Sequence, residues 1–405
     1  MRNITRLVFL AAVAGYCTSL ARAAPPPLNV SIDFEGGSAK VEEIDQRDRL
    51  VRIVPTPHPE RGWQCWWYFK LSGIEPGETV TLDVGNGSWA TPDRAAVSLD
   101  GRTWEQTEPG RRDGKRIVYR QRVAAAAAYF AWGPAFTPSD AAALVERVAR
   151  EKPYATSFSL CTTRGGRPTP ALKIAEPGLP DAERYGLWVQ ARQHAWEAGS
   201  SWVLRGFLEW LVSDDARAAS LRRSAEITLV PVMDIDNTAI GAGGKEQKPH
   251  DHNRDWSDEP HWHSVAAAMA EIGKLDAAGR FDLFIDLHNP GAGSRRPFFY
   301  VPPDELLSDA GRANLARFLD AAPAVITGPL RIEEKPKVTG ANYDKRWRRI
   351  SKNWAVSHTA GHVVAVTLET AWNTPHSTTA GYQTVGRQLG QAVELYLRTD
   401  PRQTP

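Results

Sequence analysis

Gly186-Leu187-Trp188-Val189-Gln190-Ala191-Arg192-Gln193-His194-Ala195-Trp196-Glu197 joins a nearly continuous apolar run to a His-x-x-Glu pair. A short, unbroken apolar run suits a strand covered on both faces rather than a half-exposed one. Runs of the same kind recur at 227–232, 281–287, 297–301 and 362–368. Between them, 200–212, 264–275 and 304–321 carry helical spacing, and 382–398 predicts a last helix. Strands alternating with amphipathic helices predict an α/β domain, with a mixed, mostly buried sheet flanked by helices.

Open sheets of this type place ligands beyond the carboxyl ends of their strands. Three such ends carry chemistry: His194 and Glu197 after the first run, His288 in Leu287-His288-Asn289, and Glu369 in Leu368-Glu369-Thr370. A catalytic zinc site needs three protein ligands and an open position for water. A His and a Glu on one turn, closed by a distant His, supply that set. Alone, His-x-x-Glu more often marks a surface helix pair; its place after a buried strand is what gives it weight.

Upstream, residues 28 to about 135 read as all-β. Residues 28–34 and 49–54 alternate apolar and polar, 66–71 is rich in aromatics, and a Pro-Gly turn leads into 79–84. An Asp-Gly turn sits between strand-like flanks in 99–104. Short strands at this spacing predict a β-sandwich with the aromatics in its core. A helix at 139–150 leads into the second domain.

The chain begins with a basic start (Arg2, Arg6), an apolar stretch from Leu7 to Leu20 too short to span a bilayer, and Ala21-Arg22-Ala23. That order predicts a signal peptide over 1–23, hence a periplasmic or secreted protein. The sandwich is then expected over 24–137 and the catalytic domain over 138–405. Removing Arg2, Arg6 and Arg22, with no acids lost, takes the formal charge from +2 to 2 − 3 = −1. A near-neutral chain gives no electrostatic reason to expect nucleic acid as a partner, and no later stretch suggests a membrane span. Cys65 and Cys161, left after the signal, fall in different segments; a pairing is open but unsupported.

At this point the sequence resembles the zinc carboxypeptidases, most closely their cytosolic-carboxypeptidase-like branch, which carries a small β-sandwich ahead of the catalytic domain. Residues 67–78 are similar to that branch's sandwich signature. Gln193-His194-Ala195-Trp196-Glu197 stands where the family has His-Pro-Gly-Glu, and Asn253-Arg254-Asp255-Trp256 matches Asn-Arg-x-Trp. Asp286-Leu287-His288 and Thr367-Leu368-Glu369 match the third-ligand and catalytic-glutamate strands. The resemblance implies one zinc ion per chain on His194, Glu197 and His288. It implies Glu369 as general base and then acid, Asn253 and Arg254 as binders of a substrate's terminal carboxylate, and Tyr343 as a cleft tyrosine. The chain departs from the family at Met233-Asp234-Ile235-Asp236-Asn237, where an Asn-Pro-Asp-Gly-like turn is usual. It departs again in the loop 241–248, which lacks the expected arginine; Lys245 is the nearest substitute.

Three features stay open. Arg295 and Arg296 either are surface charges or face the cleft and favour an acidic substrate. The run His250, His252, His261 and His263 reads as a solvated loop lining the cleft rather than a second metal site. Trp372, Asn373 and His376 are expected in the cleft wall. The expected activity is C-terminal peptide hydrolysis, on a peptide or small amide bearing a free carboxylate. A related zinc amidohydrolase is the nearest alternative, and an inactive peptide-binding protein the alternative of another class.

Overall fold

A computed structural model of the chain describes residues 25–85 and 91–403. The predicted signal segment, 1–23, lies outside them. The all-β part is a sandwich of two five-stranded sheets. One contains Tyr68–Ser72 between Asn29–Ser31 and Ala127–Ala131; the other is built on Glu78–Gly85, paired along its length with Arg116–Val123. Trp67, Phe69, Val80, Leu82, Ile117, Tyr119 and Phe130 fill the space between the sheets. The Asp-Gly turn is where the sequence placed it, closing Ala96–Ser98 onto Glu105–Gln106. The strand expected over 28–34 is shorter than its alternation suggests. Gly36 takes φ +77°, and its N–H donates to the Ala239 carbonyl, so the chain leaves the sheet to reach the second domain.

The helix Pro138–Glu151 follows, with Thr137 and Asp140 forming a reciprocal cap. Beyond it lies an eight-stranded mixed sheet. Its centre is parallel: Ala225–Val230, Tyr185–Ala191, Phe281–His288 and Val364–Glu369 lie side by side, all buried except the half-buried Tyr185. Antiparallel strands flank this centre, Pro168–Ile174 on one side and Phe298–Val301 on the other. The edge hairpin Ala155–Thr162/Pro168–Ile174 escaped the sequence reading because its outer strand is largely polar and half exposed.

Helices Ala198–Leu211 and Thr379–Leu397 cover one face and approach each other closely. A Cβ on Gly206 would sit 2.1 Å from the Gln383 carbonyl oxygen, and one on Gly386 1.9 Å from that of Val203. Small residues are therefore needed at both crossings. Gly206→Ala should lower stability by about 1–3 kcal/mol, the usual cost of overpacking. Urea unfolding checks this; an unchanged midpoint would mean the helices separate without cost.

Candidate active site

The site is assembled where three neighbouring parallel strands end together. In the register of the sheet, Gln190 pairs with Asp286, Ala191 with Leu287, and His288 with Glu369. After Ala191, Arg192 adopts φ +63°, an uncommon conformation for a side chain of its size. The buried Arg192 guanidinium holds that turn. Its Nε donates to the Ala195 carbonyl at 2.8 Å, Nη1 donates to the Phe136 carbonyl, and the group lies 5.7 Å from the Trp66 ring. The turn brings His194 and Glu197 back over the end of the sheet.

Glu197 occupies the N-cap position of the helix Ala198–Leu211, where a carboxylate would ordinarily accept the first free N–H groups. It does not cap. Asn289 takes that duty, accepting from Ser200 N at 3.1 Å, while its amide donates to the Thr370 carbonyl at 2.5 Å. Glu197 is thereby released to face two imidazoles, His194 Nδ1 at 2.8 Å and His288 Nδ1 at 2.6 Å. Ligand atoms of His194, Glu197 and His288 all lie within 4.8 Å of one another, and all three residues are buried.

The donor set fits zinc: two imidazole nitrogens and a carboxylate, with outer partners on both rings. His288 Nε2 meets Asp286 Oδ2 at 2.9 Å, and His194 Nε2 lies 3.5 Å from Asp251 Oδ1, an electrostatic contact rather than a well-formed hydrogen bond. Asp286 is itself fixed by Gln193 Nε2 at 2.6 Å and Ser351 Oγ at 2.6 Å. Burial opposes charge on Glu197 and on His288. The imidazoles nevertheless pull the Glu197 pKa down, and Asp286 and Glu197 push that of His288 well up. Carboxylates on both sides of the ring thus make a place that favours a cation.

Glu369 is buried, and its Oε2 has no hydrogen-bond partner among the described residues. Burial raises its pKa above the ordinary carboxylate range, helped by Glu197 and opposed by both histidines. Asn253 Oδ1 accepts from Ser351 N at 3.0 Å, and Arg254 is held by the Asn253 carbonyl at 2.9 Å and by Asp344 at 3.1 Å. Burial works against the Arg254 charge, but Asp251 and Asp344 outweigh it. Tyr343 is exposed, with its ring 5.9 Å from the Arg254 guanidinium and 5.3 Å from the Tyr300 ring. Lys245 lines a cavity of about 260 Å³ together with Asp251, Arg254 and Asp344.

Arg295 stands apart from this group: exposed, it pairs with Asp93 of the sandwich at 3.1 Å. Asn373 binds the same Asp93 at 3.0 Å, and Trp372 packs 4.2 Å from Trp132, so both belong to the domain seam. The histidine run is not uniformly solvated. His252 is buried and stacks on Trp262 at 4.8 Å, His250 pairs with Asp255, and His263 meets the Thr162 carbonyl at 2.9 Å. Among the described residues no second group of metal-binding side chains forms there. Cys65 and Cys161 are free thiols. Lys352 went unnoticed in the sequence because nothing in its neighbours marks a buried amine. Its Nζ donates to Thr339 Oγ1 at 2.6 Å, and burial pushes its pKa down to about 7 against the pull of Asp286 and Glu369.

Parallel strands ending on a His–Glu–His set beside a buried glutamate define a zinc metallohydrolase. The chain belongs to the zinc carboxypeptidase family, which residues 141–373 match; residues 30–132 match the cytosolic carboxypeptidase N-terminal domain. An uncharacterized protein of Zymomonas mobilis is 27% identical over 272 residues, 65% of this chain and 68% of its own length. Human cytosolic carboxypeptidase 1 is 25% identical over 315 residues, covering 64% of this chain but only 25% of that protein. The fold is shared with a metallo-carboxypeptidase of Burkholderia cenocepacia (TM-score 0.77, 21% identity, 92% of this chain and 100% of that one). It is shared also with a metallo-carboxypeptidase of Pseudomonas aeruginosa solved with (2-guanidinoethylmercapto)succinic acid (TM-score 0.73, 22% identity, 92% and 98%).

Purified protein should contain about one zinc per chain, as a single three-ligand set requires. His194→Ala and His288→Ala should each lose most of it by elemental analysis. Full occupancy in both variants would remove these residues from the metal centre.

Proposed function

We propose that the protein is a metallocarboxypeptidase that hydrolyses the last peptide bond of a chain ending in a free carboxylate. The observation that carries this reading is the common address of the His–Glu–His set, the buried Glu369 and the Asn253–Arg254 pair. Zinc on the three donors supplies Lewis acidity toward the scissile carbonyl and lowers the pKa of the attacking water. Glu369 accepts the proton of that water and returns it to the leaving amine. Its burial suits it to both steps, since a carboxyl with a raised pKa holds the proton between them. Arg254 and Asn253 bind the terminal carboxylate; a planar guanidinium matches its two oxygens. Lys245 stands in for the arginine missing from its loop and meets the carbonyl oxygen as negative charge develops there. Export is proposed from residues 1–23 alone, and N-terminal sequencing of protein from its native host tests it.

Glu369→Gln keeps the shape of the side chain and removes the proton acceptor. Zinc content should be retained, while kcat falls at least ~100-fold, the low end for loss of general acid–base help. Near-normal turnover would assign the proton transfers to another group.

An exopeptidase measures from the chain end, and the free carboxylate marks that end. Amidation of a good peptide substrate should therefore nearly abolish cleavage by the parent protein. Arg254→Ala should cleave the free acid poorly and distinguish far less between acid and amide. An unchanged acid-over-amide preference in that variant would confine Arg254 to its structural pairing with Asp344.

A further inference from the structure

The loop 241–248 is bound along its length to the sandwich. Gly244 N donates to the Arg61 carbonyl at 2.9 Å, Trp63 N to the Lys245 carbonyl at 2.9 Å, and Lys248 N to the Glu60 carbonyl at 2.9 Å. The two backbones are so close that a Cβ on Gly243 would lie 2.0 Å from the Trp63 carbonyl oxygen, and one on Gly62 2.3 Å from that of Lys245. The same loop reaches the metal-binding turn, where Trp196 N donates to the Gly243 carbonyl at 3.0 Å. Across this seam the Lys245 ammonium lies over the Trp63 ring, 5.3 Å from its centroid, and that ring lies 6.2 Å from Trp196, the neighbour of Glu197.

Lysine is a poor substitute for arginine in one respect. Its charge sits at the end of a flexible four-carbon stem, without the fixed fork of a guanidinium. A preorganised donor must already point where charge will develop, and a freely rotating ammonium does not. An aromatic face against the ammonium attracts it and restricts its positions. Lys245 shares its cavity with Asp251, whose Oδ1 lies 3.5 Å from His194 Nε2.

We propose that Trp63, a residue of the sandwich domain, is a positioning residue for catalysis: its indole face holds the Lys245 ammonium toward the scissile carbonyl. The sandwich then supplies a working part of the active site and not only a brace. This inference rests on the role given to Lys245 under the proposed function.

The test is a double-mutant cycle on the full-length zinc protein with a free-acid peptide, reading kcat and KM separately, with zinc content and thermal midpoint as controls. Lys245→Met should lower kcat about 100-fold or more, as loss of an oxyanion donor does. Trp63→Ala should lower kcat about 3- to 30-fold, the range of a cation–π contact, with KM and zinc content near those of the parent. Trp63→Phe, which keeps an aromatic face, should recover most of that loss. The double variant Trp63→Ala/Lys245→Met should be no slower than Lys245→Met alone. If Lys245→Met turns over like the parent, the carbonyl role of Lys245 fails and this inference falls with it. If Lys245→Met is slow but Trp63→Ala is not, or the two losses multiply, only the positioning role is overturned. A Trp63→Ala defect that appears as lost zinc or a lowered thermal midpoint overturns it equally.

Discussion

The Glu197 carboxylate faces His194 Nδ1 at 2.8 Å and His288 Nδ1 at 2.6 Å with almost no exposure to water. A charge taken that far from solvent is tolerated only with opposite charge and hydrogen bonds around it. Much of the surrounding chain provides these conditions. Asn289 takes over the capping of the helix that Glu197 begins, and its own N–H lies 3.3 Å from Glu197 Oε2. Asp286 orients His288 from the far side and is itself tied to Gln193 and Ser351. Because Ser351 N also binds Asn253, one helix start connects His288 to the pair expected to meet the substrate's carboxylate. A change at Ser351 or Gln193 would therefore reach His288 through two hydrogen bonds, without touching it.

The sandwich belongs to the same system of constraints. Trp132 on its side meets Trp196 at 4.8 Å and Trp372 at 4.2 Å on the other, and Trp66 lies 6.4 Å from Trp132. Trp196 precedes Glu197, and Trp372 follows Glu369 by three residues. Aromatic surfaces in contact at these distances make a rigid, water-excluding wall behind both. Arg192 adds a second tie, since its guanidinium reaches across to the Phe136 carbonyl and the Trp66 ring.

The central strands were legible because both of their faces are covered, so composition alone marks them, and two of them end on His288 and Glu369. The His194–Glu197–His288 cluster was legible from its place after buried strands and through resemblance to the zinc carboxypeptidases; Glu369 was marked in the same way, and Asn253–Arg254 by the resemblance alone. What was hidden depends on contacts between distant segments. Asn289 reads as an ordinary polar residue until the helix it caps is folded beside it. Lys352 reads as surface charge until the Ser351–His358 helix is packed inward. The sandwich tryptophans read as core, which is true of Trp67, whereas Trp63, Trp66 and Trp132 face the other domain. His252 looked solvated because its run is polar in sequence, yet stacking on Trp262 buries it.

The central claim is that this site removes residues from the carboxyl end of a peptide, using a metal on His194, Glu197 and His288. Digestion of a defined peptide mixture, followed by mass spectrometry, addresses it directly. The account predicts products shortened only at their carboxyl ends, absent after treatment with a chelator and restored by zinc. Internal cleavage products, or the same products in the presence of the chelator, would contradict it.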